Sequence, residues 1–160
     1  MLNCLFELPI LGFVDSREER RAKIRDRSIA LISPLLLPEE RVTTILRAQT
    51  RPRATYGVEF FLGRGMLAFI RWWVVAATDR RVFLLDCGRS RSLSGDFWVP
   101  KAITWDEPFS AVCAVEYKQG LLYTQLYLER LSAPDCTLRL HAPRYCRPEA
   151  AEVAHALGVA

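Results

Sequence analysis

The residues best suited to chemistry in this 160-residue chain are arginines. Between positions 41 and 91 there are ten of them against three acids, Glu59, Asp79 and Asp86, while the rest of the chain is slightly acidic. A guanidinium group stays charged at any ordinary pH and presents a planar fork of donors that matches phosphate or carboxylate. Arg51, Arg53 and Arg64 lie in a proline- and glycine-marked connection, and Arg89 and Arg91 lie in an Arg-Ser loop. Together these five make the candidate anion- or phosphate-binding patch. Such a patch suits the lipid head groups of an anionic membrane, an acidic protein partner or nucleic acid. The plain alternative is an arginine-rich composition whose guanidinium groups lie over apolar surface. The Arg-Ser loop is also open to phosphorylation or to simple solvation.

Other reactive residue types are sparse. The two histidines, His141 and His155, fall on the wetter face of a strand and late in a short helix, so both read as structural or solvated. Five cysteines (Cys4, Cys87, Cys113, Cys136 and Cys146) are odd in number and widely spaced, without a C-x-x-C pair, which fits neither a secreted disulfide framework nor a zinc site. Cys113, in the apolar run 111–115, reads as a small buried hydrophobe, and a reduced cytoplasm is the expected compartment. Asp106 and Glu107 are adjacent, so on an extended chain they point to opposite faces rather than converging on one proton. They read as a solvated turn before Pro108. Asp79 reads as an Asx-type backbone acceptor. No nucleophile elbow, Walker loop, dinucleotide fingerprint or H-E-x-x-H occurs, and Gly63-Arg64-Gly65 lacks the Gly-Lys-Ser/Thr of a phosphate loop. The expectation is a chain with no catalytic residue, no metal and no cofactor, against the alternative of an enzyme of unrecognised type.

A composition of 51% apolar and 25% charged residues places the chain among globular domains, long enough for one core without staples. The apolar start, residues 1–14, lacks the basic opening of a signal peptide. Residues 57–77 are interrupted by Glu59, Arg64 and Arg71, which argues against a membrane span. Ser16 and Glu19 match a capping box and open a helix over 17–32, stopped by Pro34. A strand over 41–49 follows, then a break at Pro52 and a connection over 54–66 with room for a short strand at 57–62. The aromatic and β-branched run 69–78 and the apolar run 81–86 form a hairpin around Asp79-Arg80. Trp72 and Trp73 point to opposite faces of the first of these, one toward the core and the other either core or an exposed platform for stacking. Residues 87–95 read as a loop, with irregular or edge strand at 97–100 and 102–105. Strands at 110–117, 121–130 and 136–141 are separated by turns at Gln119-Gly120 and 133–135. In the middle one, Leu122, Thr124, Leu126 and Leu128 alternate with Tyr123, Gln125, Tyr127 and Glu129, which implies one buried and one wet face. Pro148 and Glu149 open a terminal helix over 150–157, closed by Gly158.

The segment Leu36-Leu37-Pro38-Glu39-Glu40, read with the hairpin Val74 to Asp86 and its Thr78-Asp79-Arg80-Arg81 tip, resembles the bacterial pleckstrin-homology-like domains. The resemblance covers about residues 36–158. It implies a mainly β fold: a strongly bent antiparallel sheet, or partly open barrel, of about seven strands capped by a C-terminal helix. Residues 1–35 would be an N-terminal helical extension that packs on the sheet or mediates self-association into a homo-oligomer, and 36–160 the domain proper. It further implies a non-enzymatic binding or scaffolding module that docks on a protein partner or an anionic membrane surface. A nucleic-acid-binding domain using residues 41–91 is the alternative. In eukaryotic relatives basic residues around the first hairpin hold phosphoinositides. Here Arg51 and Arg53 flank a proline instead of standing on paired strands.

Overall fold

The computed structural model describes residues 10–50, 70–89 and 98–159. Among them is one antiparallel sheet of seven strands in the order β4-β3-β2-β1-β7-β6-β5. The strands are β1 (Val42–Thr50), β2 (Arg71–Thr78), β3 (Arg81–Arg89), β4 (Ala102–Pro108), β5 (Val112–Gln119), β6 (Tyr123–Arg130) and β7 (Ala133–Pro143). The sheet is not closed, since β4 and β5 stand at its two edges. Helix α1 (Ile10–Ile32) precedes it and α2 (Arg147–Ala156) follows it.

Strands β2 and β3 are buried on both faces, which explains their unbroken apolar runs. One face of the sheet carries a core of Leu46, Trp73, Val75, Leu84, Leu126, Leu128 and Leu140, sealed by Ala150, Val153 and Leu157 at α2. The other carries Trp72, Val74, Phe83 and Leu85, and is covered by Ile24 and Ile32 of α1. Ser28, on the same buried stripe of α1, satisfies its hydroxyl by donating to the Ile24 carbonyl at 2.7 Å. Trp72 and Trp73 therefore enter separate cores, and neither offers an exposed stacking face.

The expected alternation holds from Tyr123 on, with Thr124, Leu126 and Leu128 buried and Tyr123, Gln125 and Tyr127 half-buried, but Leu121 and Leu122 precede the strand and are exposed. The terminal helix also forms as expected, with Pro148 in its first turn and Gly158 at φ 80° beyond its end. That positive φ is a conformation glycine adopts without strain.

Several boundaries differ from expectation, each for a physical reason. Helix α1 begins at Ile10, so Ser16 and Glu19 stand inside it rather than at its start. Each polar residue inside a helix costs only about half a kcal/mol relative to alanine, too little to stop it. Cys87, Gly88 and Arg89 continue β3 through a β-bulge: the register slips between Trp72 opposite Gly88 and Trp73 opposite Asp86, with Gly88 at φ 82°. Asp106 and Glu107 lie in edge strand β4 rather than in a turn. Residues 133–135 belong to β7, because Arg130 already pairs with Ala133 and Leu131-Ser132 suffice for the turn. Cys113 is half-buried on edge strand β5 rather than enclosed. The connection proposed over 54–66 lies outside the described residues, as do residues 90–97.

Candidate functional site

Two polar constellations stand out, and the first belongs to the fold. The turn Leu37-Pro38-Glu39-Glu40 folds back onto the β2–β3 tip, with Glu39 at φ 68°. Its Glu40 carboxylate, fully enclosed, accepts from the Leu37 amide (2.8 Å), the Thr78 hydroxyl (2.6 Å) and Arg81 Nε and Nη2 (3.0 and 2.9 Å). Arg81 also bridges to Asp106 on β4 at 2.9 Å and donates to the Leu35 carbonyl. Burial alone would raise the Glu40 pKa. The hydrogen bonds from Arg81, Thr78 and the Leu37 amide, with the Arg81 charge, overcome it and hold the pKa at about 2. Thr78 Oγ1 also accepts from the Arg80 and Arg81 amides (3.1 and 2.9 Å) and so shapes the tip. The local turn bond expected of Asp79 is thus made by Thr78. Asp79 instead accepts from the Arg41 amide at 3.1 Å, on β1's side of the tip. Every donor here is directed at a protein acceptor, so the constellation closes the hairpin rather than receiving a ligand.

The second constellation lies where β1 parts from β7. Among the described residues those strands are in register only at Gln49 opposite His141, while β1 pairs with β2 along its length. The gap leaves a groove of about 390 Å³ between α1, β1 and α2. Arg21 and Arg25 line it from α1, Thr43, Thr44 and Arg47 from β1, and Glu149 and Glu152 from α2. Arg47 shares its side of the strand with Ile45, two residues away, so a charge stands where alternation would place an apolar residue. Its guanidinium lies 5.1 Å from the Tyr145 ring and 5.9 Å from the Trp98 ring, and among the described residues it donates only to Cys146 Sγ at 3.6 Å. Arg21 donates to the Tyr145 carbonyl at 3.4 Å, its guanidinium 6.0 Å from the same ring. Among the described residues no carboxylate lies within ion-pair distance of Arg21, Arg25 or Arg47. On the far wall Glu152 accepts from Thr44 Oγ1, while a buried Glu149 oxygen has no donor among the described residues. Burial pushes the Cys146 thiol up, and the neighbouring Arg47 only partly opposes it, so this sulfur is a neutral neighbour rather than a nucleophile.

The sequence-predicted patch is not assembled in the described part of the molecule. Arg51, Arg53, Arg64 and Arg91 lie outside the described residues. Arg89 ends β3 exposed, opposite Arg71, whose side chain is held by Asp86 at 2.6 Å and lies over the Trp73 ring at 4.6 Å. Asp86 also accepts from the Gly88 amide at 2.7 Å, and these bonds depress its pKa. His141 is 2% exposed, against the expectation of a wet face. It sits inside the sheet between Gln49 and Gln125, with the Tyr123 ring edge-on at 6.3 Å. Alternation reports only the two faces of its own strand, whereas β1 and β6 flank His141 on either side. His155 is exposed on α2 beside Glu152. Cys87 is buried, and that burial pushes its pKa up to about 12. Among the described residues no three histidines, cysteines or carboxylates converge as a metal would require, and no helix is long and apolar enough to cross a membrane.

Sequence reasoning missed the groove. Arg21 and Arg25 sit in a charged helical run that reads as a solvated face. Arg47 is one of the ten arginines of the basic middle, with no neighbour in sequence that marks it out. The available signal was Arg47 itself, a charge in a run that otherwise alternates as a half-buried strand.

Compared with family models, with curated proteins and with solved structures, the chain finds no match.

Proposed function

We propose that this chain is a non-enzymatic docking module of pleckstrin-like architecture, whose α1–β1–α2 groove receives an anionic group on a partner. The observation that carries this reading is the set Arg21, Arg25 and Arg47. They are three guanidinium groups on one groove with no carboxylate at ion-pair distance among the described residues, one of them backed by two aromatic rings. Arginines in a fold normally find carboxylates where these are to hand, as Arg81 and Arg71 do here. Contact between the 36–40 turn and the Thr78–Arg81 tip supports the architecture, since these are the two stretches that carry the resemblance. Acidic protein side chains and anionic lipid head groups both suit the groove. The nucleic-acid reading is weakened because Trp72 and Trp73 are buried and present no stacking surface.

The test is retention of the full chain, at low salt, on phosphatidylserine vesicles and on an immobilised polyglutamate peptide. Arg21→Glu with Arg25→Glu, both exposed in the parent, is expected to cut binding at least about tenfold, because charge reversal replaces attraction by repulsion. Charge reversal at Arg51, Arg53 and Arg64 measures how much the sequence-predicted patch contributes. No retention on either matrix would overturn the docking reading.

A further inference from the structure

Three of the exposed large hydrophobic side chains among the described residues, two of them the most exposed, cluster beside that groove. Leu121 and Leu122 form the β5–β6 turn and are 80% and 67% exposed, and Tyr145 is 54% exposed. The three are joined through the backbone: the Arg144 amide donates to the Leu122 carbonyl at 3.1 Å, and Tyr145 follows. Tyr145 is also the ring between Arg21 and Arg47, so the turn and the groove share one surface.

The turn is held firmly. The Gly120 amide donates to the Tyr123 carbonyl at 2.9 Å, and Arg147 Nη2 donates to the Gly120 carbonyl at 2.7 Å. A Cβ on Gly120 would meet the Tyr123 carbonyl oxygen at 2.8 Å, so the tight backbone admits only glycine without a shift. Protein groups thus satisfy the Gly120 and Leu122 carbonyls, as an apolar medium demands of any backbone that enters it. What faces outward is two leucine side chains. Around them stand Arg144, exposed, Arg147 and Lys118, the last weakly paired with Glu116 at 3.4 Å. Arg21 lies beyond them.

We infer that the Leu121–Leu122 turn is a wedge that enters the boundary layer of an anionic membrane, with Arg144, Arg147, Lys118 and Arg21 against the head groups. This rests on the docking reading and names its partner. Two leucines at the end of a strand pair, 80% and 67% exposed, project apolar side chains into the surroundings, and fluid acyl chains close around such a projection. Basic side chains beside it match the negative leaflet surface. Tyr145 suits the interfacial layer, with an apolar ring and a polar end.

Co-sedimentation of the full chain with phosphatidylcholine vesicles, with and without phosphatidylserine, tests the inference. Binding is expected only to the anionic vesicles. Leu121→Asp with Leu122→Asp is expected to lower it at least about tenfold with an unchanged melting midpoint, because both side chains are already in solvent. A Leu121→Trp variant is expected to show a blue-shifted emission component, relative to the parent, when anionic vesicles are added. Undiminished binding by the double aspartate variant, or emission from the Leu121→Trp variant that does not shift, overturns the wedge and leaves the docking module standing. Retention on polyglutamate without vesicle binding does the same and points to a protein partner. Self-association of the parent that the double variant abolishes also overturns it, and assigns the turn to a second copy of this chain. Failure on vesicles and polyglutamate together removes both readings.

Discussion

Two parts of this molecule use the same three side-chain types to opposite ends. At the hairpin tip, Thr78 donates to Glu40 and Glu40 is clamped by Arg81. In the groove, Thr44 donates to Glu152, but Arg47 turns to aromatic rings and a thiol. The first set is closed off from water, so any unsatisfied charge there would carry the desolvation penalty of a buried ion. The second is open, and among the described residues its guanidinium groups have no carboxylate at ion-pair distance. Charge that is internally neutralised holds the chain together, and charge left uncompensated beside a groove is available to something else.

The largest expected effect follows from breaking the closed set. Arg81→Leu leaves the Glu40 carboxylate enclosed without its cation and should destabilise the fold by roughly 4 kcal/mol, read from the denaturant midpoint. A loss below about 1 kcal/mol would mean the tip behaves like a surface pair, and the contrast between the regions would fail.

Acid should reveal the same asymmetry. Glu40 has its folded pKa held at about 2 against a usual 4.5, so its stabilisation is complete above 4.5 and disappears as the pH falls toward 2. The shift corresponds to on the order of 3 kcal/mol. Glu40→Gln should be less stable at neutral pH and show a flatter decline across that window than the parent. Parallel declines for the two proteins would assign the acid sensitivity to other carboxylates. Asp86, also depressed by its Arg71 and Gly88 bonds, contributes in the same direction.

A smaller effect is expected at Asp86, which is partly exposed. Asp86→Asn weakens the two-point contact with Arg71 (3.1 and 2.6 Å) and should cost about 1 kcal/mol. A cost as large as that of Arg81→Leu would show that exposure is not what separates these pairs.

The smallest change in stability is expected in the groove. Arg21→Ala with Arg25→Ala should move the unfolding free energy by no more than about 0.5 kcal/mol, as surface substitutions usually do. If these arginines proved as costly as Arg81, they would be structural and not available to a partner.

How far the sequence alone reveals this depends on range. The β2–β3 hairpin is legible because its signal is local: β-branched and aromatic residues run unbroken on each side of a polar tip. Helix α2 is legible for the same reason, from Pro148 and Gly158 at its ends. The two-sided burial of β2 is only half legible. An apolar run shows that both faces are covered, but not that α1, some forty residues earlier, covers one of them. The Glu40–Arg81 clamp joins residues forty-one positions apart, and nothing local in either stretch announces the pairing. The groove is least legible, because it arises where β1 and β7 diverge, and divergence between strands ninety residues apart leaves no periodic trace in either. Alternation through Leu122 extends the expected strand back to Leu121, although the chain turns there and the strand starts at Tyr123.

The placement of α1 has a consequence for how the chain is made. It is the first described element to leave the ribosome, but the surface that receives Ile24 and Ile32 is complete only once the β2–β3 hairpin has emerged and β4, which carries Ile103, has followed it. At translation rates of about 5–20 residues per second, the helix spends several seconds with its apolar stripe uncovered. For that interval it is a natural client for a holding chaperone, and its release is timed by the synthesis of the strands that will bury it.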